Sequence, residues 1–240
     1  MTSLLLTGAT GLVGSRLLPR LAGDGFECRA LVRRDADLPE GTVAVRGDLH
    51  DPDALRAAVE GADAVVHLAA LFRTTDEDAI WRANLDGTRN LITAVHEHAP
   101  AARFVMTSTS NVYDPDAARP ALETDECSPK AAYGASKIAA EQLLRDSHLA
   151  SMPALAARFG LHPAHTYSVA HHRDVAAAVR LALTGVMDGR IVNVTDDAPV
   201  SVFEMARLAG QPIDGSAEPL TNPWSGRMDG TLIRELGWSP

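Results

Sequence analysis

The chain opens on Ser3-Leu4-Leu5-Leu6-Thr7-Gly8-Ala9-Thr10-Gly11-Leu12-Val13-Gly14. Residues 3–6 form a short apolar run of the kind that fills a parallel strand buried on both faces. Three glycines follow at a regular spacing, Gly8, Gly11 and Gly14. An apolar-periodic segment then starts through Leu12, Val13, Leu17, Leu18 and Leu21. In a strand, glycine turn and helix in that order, the backbone can turn sharply. A pyrophosphate can then rest against the first N–H groups of the helix. The glycine spacing alone is a weak signal; the strand-to-helix context makes it a dinucleotide site.

Outward from this turn, strands and helices alternate. Residues 26–32 read as a second strand ending in Arg33-Arg34, and residues 42–45 as a third, followed by Gly47-Asp48-Leu49. Asp51-Pro52 opens a helix, with Asp51 as its cap and Pro52 at its first position. Residues 64–70 are a fourth strand, 78–98 a long helix and 103–107 a fifth strand. Residues 115–129 form a polar, proline-bearing loop, 131–148 a helix and 154–159 a sixth strand. Residues 174–183 read as helix, 190–194 as strand and 202–208 as helix. This alternation predicts an α/β fold, a doubly wound parallel sheet with its ligand at the carboxyl ends of the strands. Residues 1–240 read as one domain, with those from about 155 onward building a small C-terminal substrate lobe.

Composition narrows the function classes. Lys and Arg number 22 against 31 Asp and Glu, a net charge of −9, and no basic patch interleaved with aromatics occurs, so nucleic acid is not an expected partner. No apolar run approaches the roughly 20 residues that span a bilayer, and none resembles a signal segment. Cys28 and Cys127 form no disulfide framework. A cytoplasmic protein is the expectation.

Two groups of residues carry the candidate chemistry. At the end of the second strand an acidic residue meets the adenine ribose of NAD, whereas arginine accommodates the 2′-phosphate of NADP. Arg33 and Arg34 favour NADP(H) over NAD(H); the bland alternative is two solvated arginines. Asp48 is placed to accept a hydrogen bond from the adenine amine or simply to cap the next turn. Further along, Tyr133-Gly134-Ala135-Ser136-Lys137 puts a phenol and an ammonium on one helical face. An ammonium beside a phenol favours the phenolate and brings its pKa down from about 10, toward acid–base work near neutrality. Thr107-Ser108-Thr109-Ser110, at the end of the fifth strand, supplies hydroxyls for a substrate oxygen or for local backbone. His162, His165, His171 and His172 lack a metal-binding spacing, so no metal is expected. His162 falls in a loop that should line the cleft.

Taken together, these motifs resemble the short-chain dehydrogenase/reductase superfamily, specifically its extended branch of NAD(P)-dependent epimerases, dehydratases and reductases with a Rossmann fold. The resemblance rests on residues 7–14, Gly47-Asp48-Leu49, His67-Leu68-Ala69-Ala70, residues 84–91, residues 108–113 and Tyr133 with Lys137. It extends to Asp174-Val175-Ala176, Asn193-Val194-Thr195 and the terminal Leu236-Gly237-Trp238-Ser239-Pro240. It implies a catalytic hydroxyl at Thr109, an acid/base at Tyr133, and at Lys137 a residue that binds the nicotinamide ribose and lowers the tyrosine pKa. Gly8, Thr10, Gly11, Leu12, Val13, Gly14, Arg33, Arg34, Asp48, Leu49, Leu68, Ala69, Ala70, Thr107, Tyr133 and Lys137 would contact the cofactor, and Ser110, Asn111 and His162 the substrate. Asn84 would brace the active-site helix and join a proton relay. One departure is the short stretch between Arg158-Phe159-Gly160 and His171-His172-Arg173-Asp174, where family members carry a longer substrate-binding insertion. A small ketone, or a nucleotide sugar in an open cleft, fits better than a deep clamp on a nucleotide diphosphate.

Three functions follow from this reading. The first is an NADPH-dependent ketoreductase. The second is a sugar-nucleotide epimerase or dehydratase that regenerates its bound cofactor. The third is a non-catalytic NADP(H) sensor, which retention of Tyr133 and Lys137 argues against. Family dimers pair two helices, here residues 78–98 and 131–148, so a homodimer is possible in principle.

Overall fold

In the computed structural model every residue of the first strand, β1 (Ser3–Thr7), is buried. Its side chains alternate: Leu4 and Leu6 enter one core and Leu5 the opposite one. That alternation makes β1 the centre of a sheet covered on both faces. The structure describes residues 2–147, 151–154, 166–168, 170–210, 213 and 220–240. β2 (Glu27–Val32), β3 (Val43–Arg46), β4 (Ala64–His67), β5 (Arg103–Thr107) and β6 (Ser151–Ala154) complete a parallel sheet of order β3-β2-β1-β4-β5-β6. The order reverses between β1 and β4, so a crevice opens where Thr7 stands beside His67.

On one face α1 (Gly14–Gly23) and α6 (His172–Leu183) pack over Leu4, Leu6 and Val66, with Leu17, Leu21, Val179 and Trp238 in the core. On the other, α2 (Pro52–Val59), α4 (Gly87–His98) and α5 (Ala132–Asp146) cover Leu5, Val65, Phe104 and Met106 through Leu55, Leu91, Val95 and Leu144. Asp51 caps α2, its carboxylate accepting from Ala54 N–H at 3.0 Å. α3 (Glu77–Trp81) runs into α4 through a π-helical turn, Arg82–Asp86.

Several expectations shift. Leu12 and Val13 do not belong to the apolar face of α1. The helix starts at Gly14, and Leu12 is 76% exposed beside the crevice. The fourth strand ends at His67, and Leu68 onward leaves the sheet. The sixth strand is Ser151–Ala154, earlier than residues 154–159, whose remainder lies outside the described residues. Residues 190–194 form no strand. Val192 and Val194 are buried, but the polar groups of Asn193 bond to a loop instead of a sheet. Its N–H donates to Glu123 Oε1 at 2.7 Å, its Nδ2 donates to Ala121 O at 3.0 Å, and its Oδ1 accepts from Tyr113 OH at 3.0 Å. α6 lies on the main sheet against α1, so not everything after residue 155 belongs to a lobe.

The C-terminal segment closes over the end of β5. β7 (Thr166–Tyr167) pairs antiparallel with β8 (Val200–Ser201), and Ser201 caps α7 (Val202–Leu208) in a reciprocal box with Glu204. Ala121 bridges to Met228, Asn222 Nδ2 donates to the carbonyls of Pro115 and Ala117, and α8 (Thr231–Glu235) follows. The tail is anchored by Trp238, whose Nε1 donates to Asp174 O at 3.0 Å.

Candidate active site

The crevice at the β1/β4 switch point has about 1030 Å³ of open space and is lined by Thr7, Gly8, Thr10, Gly11, Arg33, Asp48, Leu49, Leu68, Ala69 and Ala70, among others. A Cβ at Gly14 would stand 2.2 Å from Gly8 O, so only glycine lets α1 start against the turn. The amides of Leu12, Val13 and Gly14 have no main-chain acceptor among the described residues. Free N–H groups at a helix start beside an open crevice suit a pyrophosphate, so the residues present fit a dinucleotide. Arg33 lines the crevice; Arg34 is exposed next to it and is not part of the lining. Neither arginine has an ion-pair partner among the described residues, whereas Asp35 lies 3.4 Å from Arg46. Asp48 lines the crevice and also serves its turn, accepting from His50 N–H at 2.7 Å.

Beneath the crevice a buried polar chain leads from β1 toward α5. Thr88 Oγ1 donates to Asn84 O at 2.6 Å, so it accepts from His67 Nε2 at 2.9 Å. His67 Nδ1 is then the acceptor for Thr7 Oγ1 at 2.6 Å, and the ring is neutral. Burial first, and the nearby Lys137 charge second, push His67 down to about 3. The Asn84 side chain spans the π turn. Its Oδ1 accepts from Leu71 N–H at 2.7 Å, and its Nδ2 donates to Leu71 O and to Ser136 Oγ, each at 3.1 Å. Ser136 in turn donates to Tyr133 O at 2.8 Å. Asn84 therefore clamps the loop after β4 to the first turn of α5.

α5 carries Tyr133, Lys137, Glu141 and Arg145 at successive intervals of four, on one face. Its first turn sits directly on the hydroxyl segment: a Cβ at Gly134 would lie 2.5 Å from Asn111 O. Thr109 is buried and caps a 3-10 turn (Ser110–Val112), its Oγ1 accepting from Asn111 N–H at 3.2 Å. That acceptance leaves the Thr109 hydrogen to donate elsewhere. Thr107 Oγ1 is spent on His67 O at 3.3 Å. Lys137 is only 2% exposed; burial pushes it down to about 8, and Glu141 pulls it partly back. The Tyr133 phenol is pushed up by burial, contrary to the lowering expected from its spacing to Lys137.

Sequence reasoning passed over three groups here. Phe72 packs on the Tyr133 ring with centroids 4.5 Å apart, and Arg73 behind it holds a left-handed φ of 64°. Glu141 is buried one turn past Lys137. Arg227 faces Ser110 and Asn111 across a narrow cleft, where Arg227 Nε and Asn111 Oδ1 are both buried without partners among the described residues. The i+4 spacing of Glu141 was visible in the sequence; the other two depend on tertiary approach. His162 lies outside the described residues.

Residues 4–167 match the NAD dependent epimerase/dehydratase family. The chain is 34% identical over 144 residues to a ceramide reductase of Caulobacter vibrioides, a match covering 58% of this chain and 41% of that protein. It is 30% identical over 214 residues to a dTDP-4-dehydrorhamnose reductase of Mycobacterium tuberculosis, covering 86% of this chain and 63% of that one. These matches thus span about two-fifths to under two-thirds of each relative's length. Among solved structures, the UDP-Glc/GlcNAc 4-epimerase of Campylobacter jejuni superposes with a TM-score of 0.87 over 100% of this chain and 94% of its own, at 19% identity, a likeness of fold. The chain belongs to the NAD dependent epimerase/dehydratase family.

Proposed function

We propose that this protein is an NADPH-dependent ketoreductase acting on a small-molecule or nucleotide-sugar ketone. The observation that carries the reading is an arrangement: Tyr133 and Lys137 stand one turn apart on α5, and the first turn of that helix packs directly on the segment that holds Thr109. A protonated phenol is a proton donor, which is what reduction of a carbonyl requires. When bound, a reduced nicotinamide supplies hydride to the carbonyl carbon. Thr109 donates its free hydrogen to the substrate oxygen and orients it. Tyr133 gives its proton to that oxygen, and the phenolate left behind is stabilised by the Lys137 ammonium until solvent returns the proton. Arg33, exposed on the crevice lining and free of any carboxylate among the described residues, favours the 2′-phosphate of NADPH. Ser110, Asn111 and Arg227 border the substrate side. The unmatched acceptor on Asn111 and donor on Arg227 suit a substrate that carries both hydroxyl and oxygen-acceptor groups.

The test is net NADPH consumption with a panel of ketones that includes nucleotide-linked keto-deoxysugars. The wild type and Tyr133→Phe are compared. Consumption that Tyr133→Phe abolishes supports the reductase. Conversion of a nucleotide sugar without net consumption of cofactor would move the protein to the epimerases and dehydratases. Cofactor binding with no turnover on any substrate would favour a sensor.

A further inference from the structure

We propose that Glu141 is a positioning residue of this site, the counter-ion of Lys137 and, through Ser108, the tether that holds the Thr109 turn against the same face of α5. Glu141 follows Lys137 by four residues on one helix, and each is 2% exposed. Ser108, the residue before Thr109 and itself buried, donates its hydroxyl to Glu141 Oε1. Arg145, one turn further along and half exposed, donates to Oε2 at 3.2 Å. One carboxylate thus receives a hydroxyl from the β5 loop and a guanidinium from its own helix, one turn past the buried Lys137.

Among the described residues, Glu141 is the anion that acts on Lys137. The ionisable groups that act on it are Glu141 from α5 and His67 from β4, and His67 is neutral. Glu141 itself is felt by Lys137, Arg145, Tyr113 and Cys127. Burial pushes the Glu141 carboxyl up, while Ser108, Arg145 and Lys137 each favour its charged form. A buried ammonium without a counter-ion gives up its proton instead of holding its charge. Removing Glu141 while keeping its shape would therefore discharge Lys137 at a lower pH, and Tyr133 would lose the cation that stabilises its phenolate. The idea rests on the proposed role of Lys137, but its test needs no turnover.

The chain has two lysines, Lys130 and Lys137. Lys130 is exposed beside Asp114 and Asp116 and serves as an internal reference. With ¹³C-labelled lysine, the ε-methylene shifts give two titration curves for the whole protein. In Glu141→Gln the Lys137 midpoint is expected to fall by about one to two pH units, with Lys130 unmoved. The alkaline limb of kcat for a reduced ketone is expected to shift the same way. A Lys137 midpoint equal to that of the wild type would overturn the proposal, whatever happens to activity. A second measurement guards against an unstable variant. The Lys137→Met/Glu141→Gln protein, with neither charge, is expected to resist more urea than Glu141→Gln alone, and a double variant no more stable than the single one also overturns it.

Discussion

The two halves of the sheet's carboxyl edge are built on opposite terms. Around β1, β2 and β4 the site is made of backbone and small side chains: Gly8, Gly11, Ala69 and Ala70 line an open crevice, and Gly14 lets the helix start against it. Around β5 and α5 it is made of buried polar side chains, with Ser108, Thr109, Ser136, Lys137 and Glu141 all withdrawn from water. The first half is a matter of shape and fails when a Cβ intrudes. The second is a matter of matched charges and hydrogen bonds, and fails when one member is left without its partner. Asn84 and His67 join the halves, so damage on one side is transmitted by a fixed chain of hydrogen bonds, not by loose packing.

The largest effect belongs to the polar half. Tyr133→Phe removes the proposed proton donor and keeps the ring. It is expected to lower kcat by about 10²–10⁴-fold, with cofactor affinity within about a factor of two of the wild type. A comparable loss of cofactor affinity would mean that the hydroxyl acts by holding the cofactor and not as the proton donor. The shape half is probed by Gly14→Ala. Its new methyl meets Gly8 O at 2.2 Å, so overpacking should cost about 1–3 kcal/mol of stability. NADPH fluorescence titration should also show weaker binding. A variant as stable and as tightly bound as the parent would break the comparison on the shape side.

That asymmetry explains how much the sequence disclosed. The shape half is local at its centre: a strand, three glycines and the start of a helix lie within residues 3–14, and that order marks the turn that borders the crevice. Asp51 as the cap of α2 and the i+4 pair Tyr133/Lys137 are legible for the same reason. The polar half is assembled across the chain. Ser108 meets Glu141 from 33 positions away and Asn84 meets Ser136 from 52, and neither distance leaves a mark on local periodicity. The Tyr133 shift went the other way from expectation because a spacing rule counts the ammonium and cannot count desolvation. Residues 190–194 read as a strand because Val192 and Val194 alternate. Asn193 between them bonds instead to Tyr113, Ala121 and Glu123, in a segment no pattern marked as adjacent.

The link between the halves has its own signature in acid. His67 is 0% exposed and held down to about 3, whereas an unfolded histidine takes a proton near 6.5. Between those values the unfolded chain binds more protons than the native one, so stability rises with pH across that window and falls as the medium is acidified. From pH 7 to pH 5 this group should remove about 2 kcal/mol. Urea midpoints of the wild type and His67→Gln should therefore differ in their slope against pH, with the variant flatter. Equal slopes would mean that His67 carries its charge in the folded protein.

The smallest expected effect separates two adjacent arginines. Arg33 lines the crevice and Arg34 does not, although both directly follow the same strand and both are exposed. If Arg33 receives the 2′-phosphate, Arg33→Ser should raise KM for NADPH by about tenfold, the value of one charge-assisted contact, and leave KM for NADH in place. Arg34→Ser should change either by less than about threefold, because a solvated cation beyond the lining acts only through a screened field. The Arg33 effect should shrink between low and high salt, since its guanidinium remains in contact with water. Equal sensitivity of NADPH and NADH to Arg33→Ser would assign the residue to the adenine face and return the choice of cofactor to Asp48 and the backbone around it.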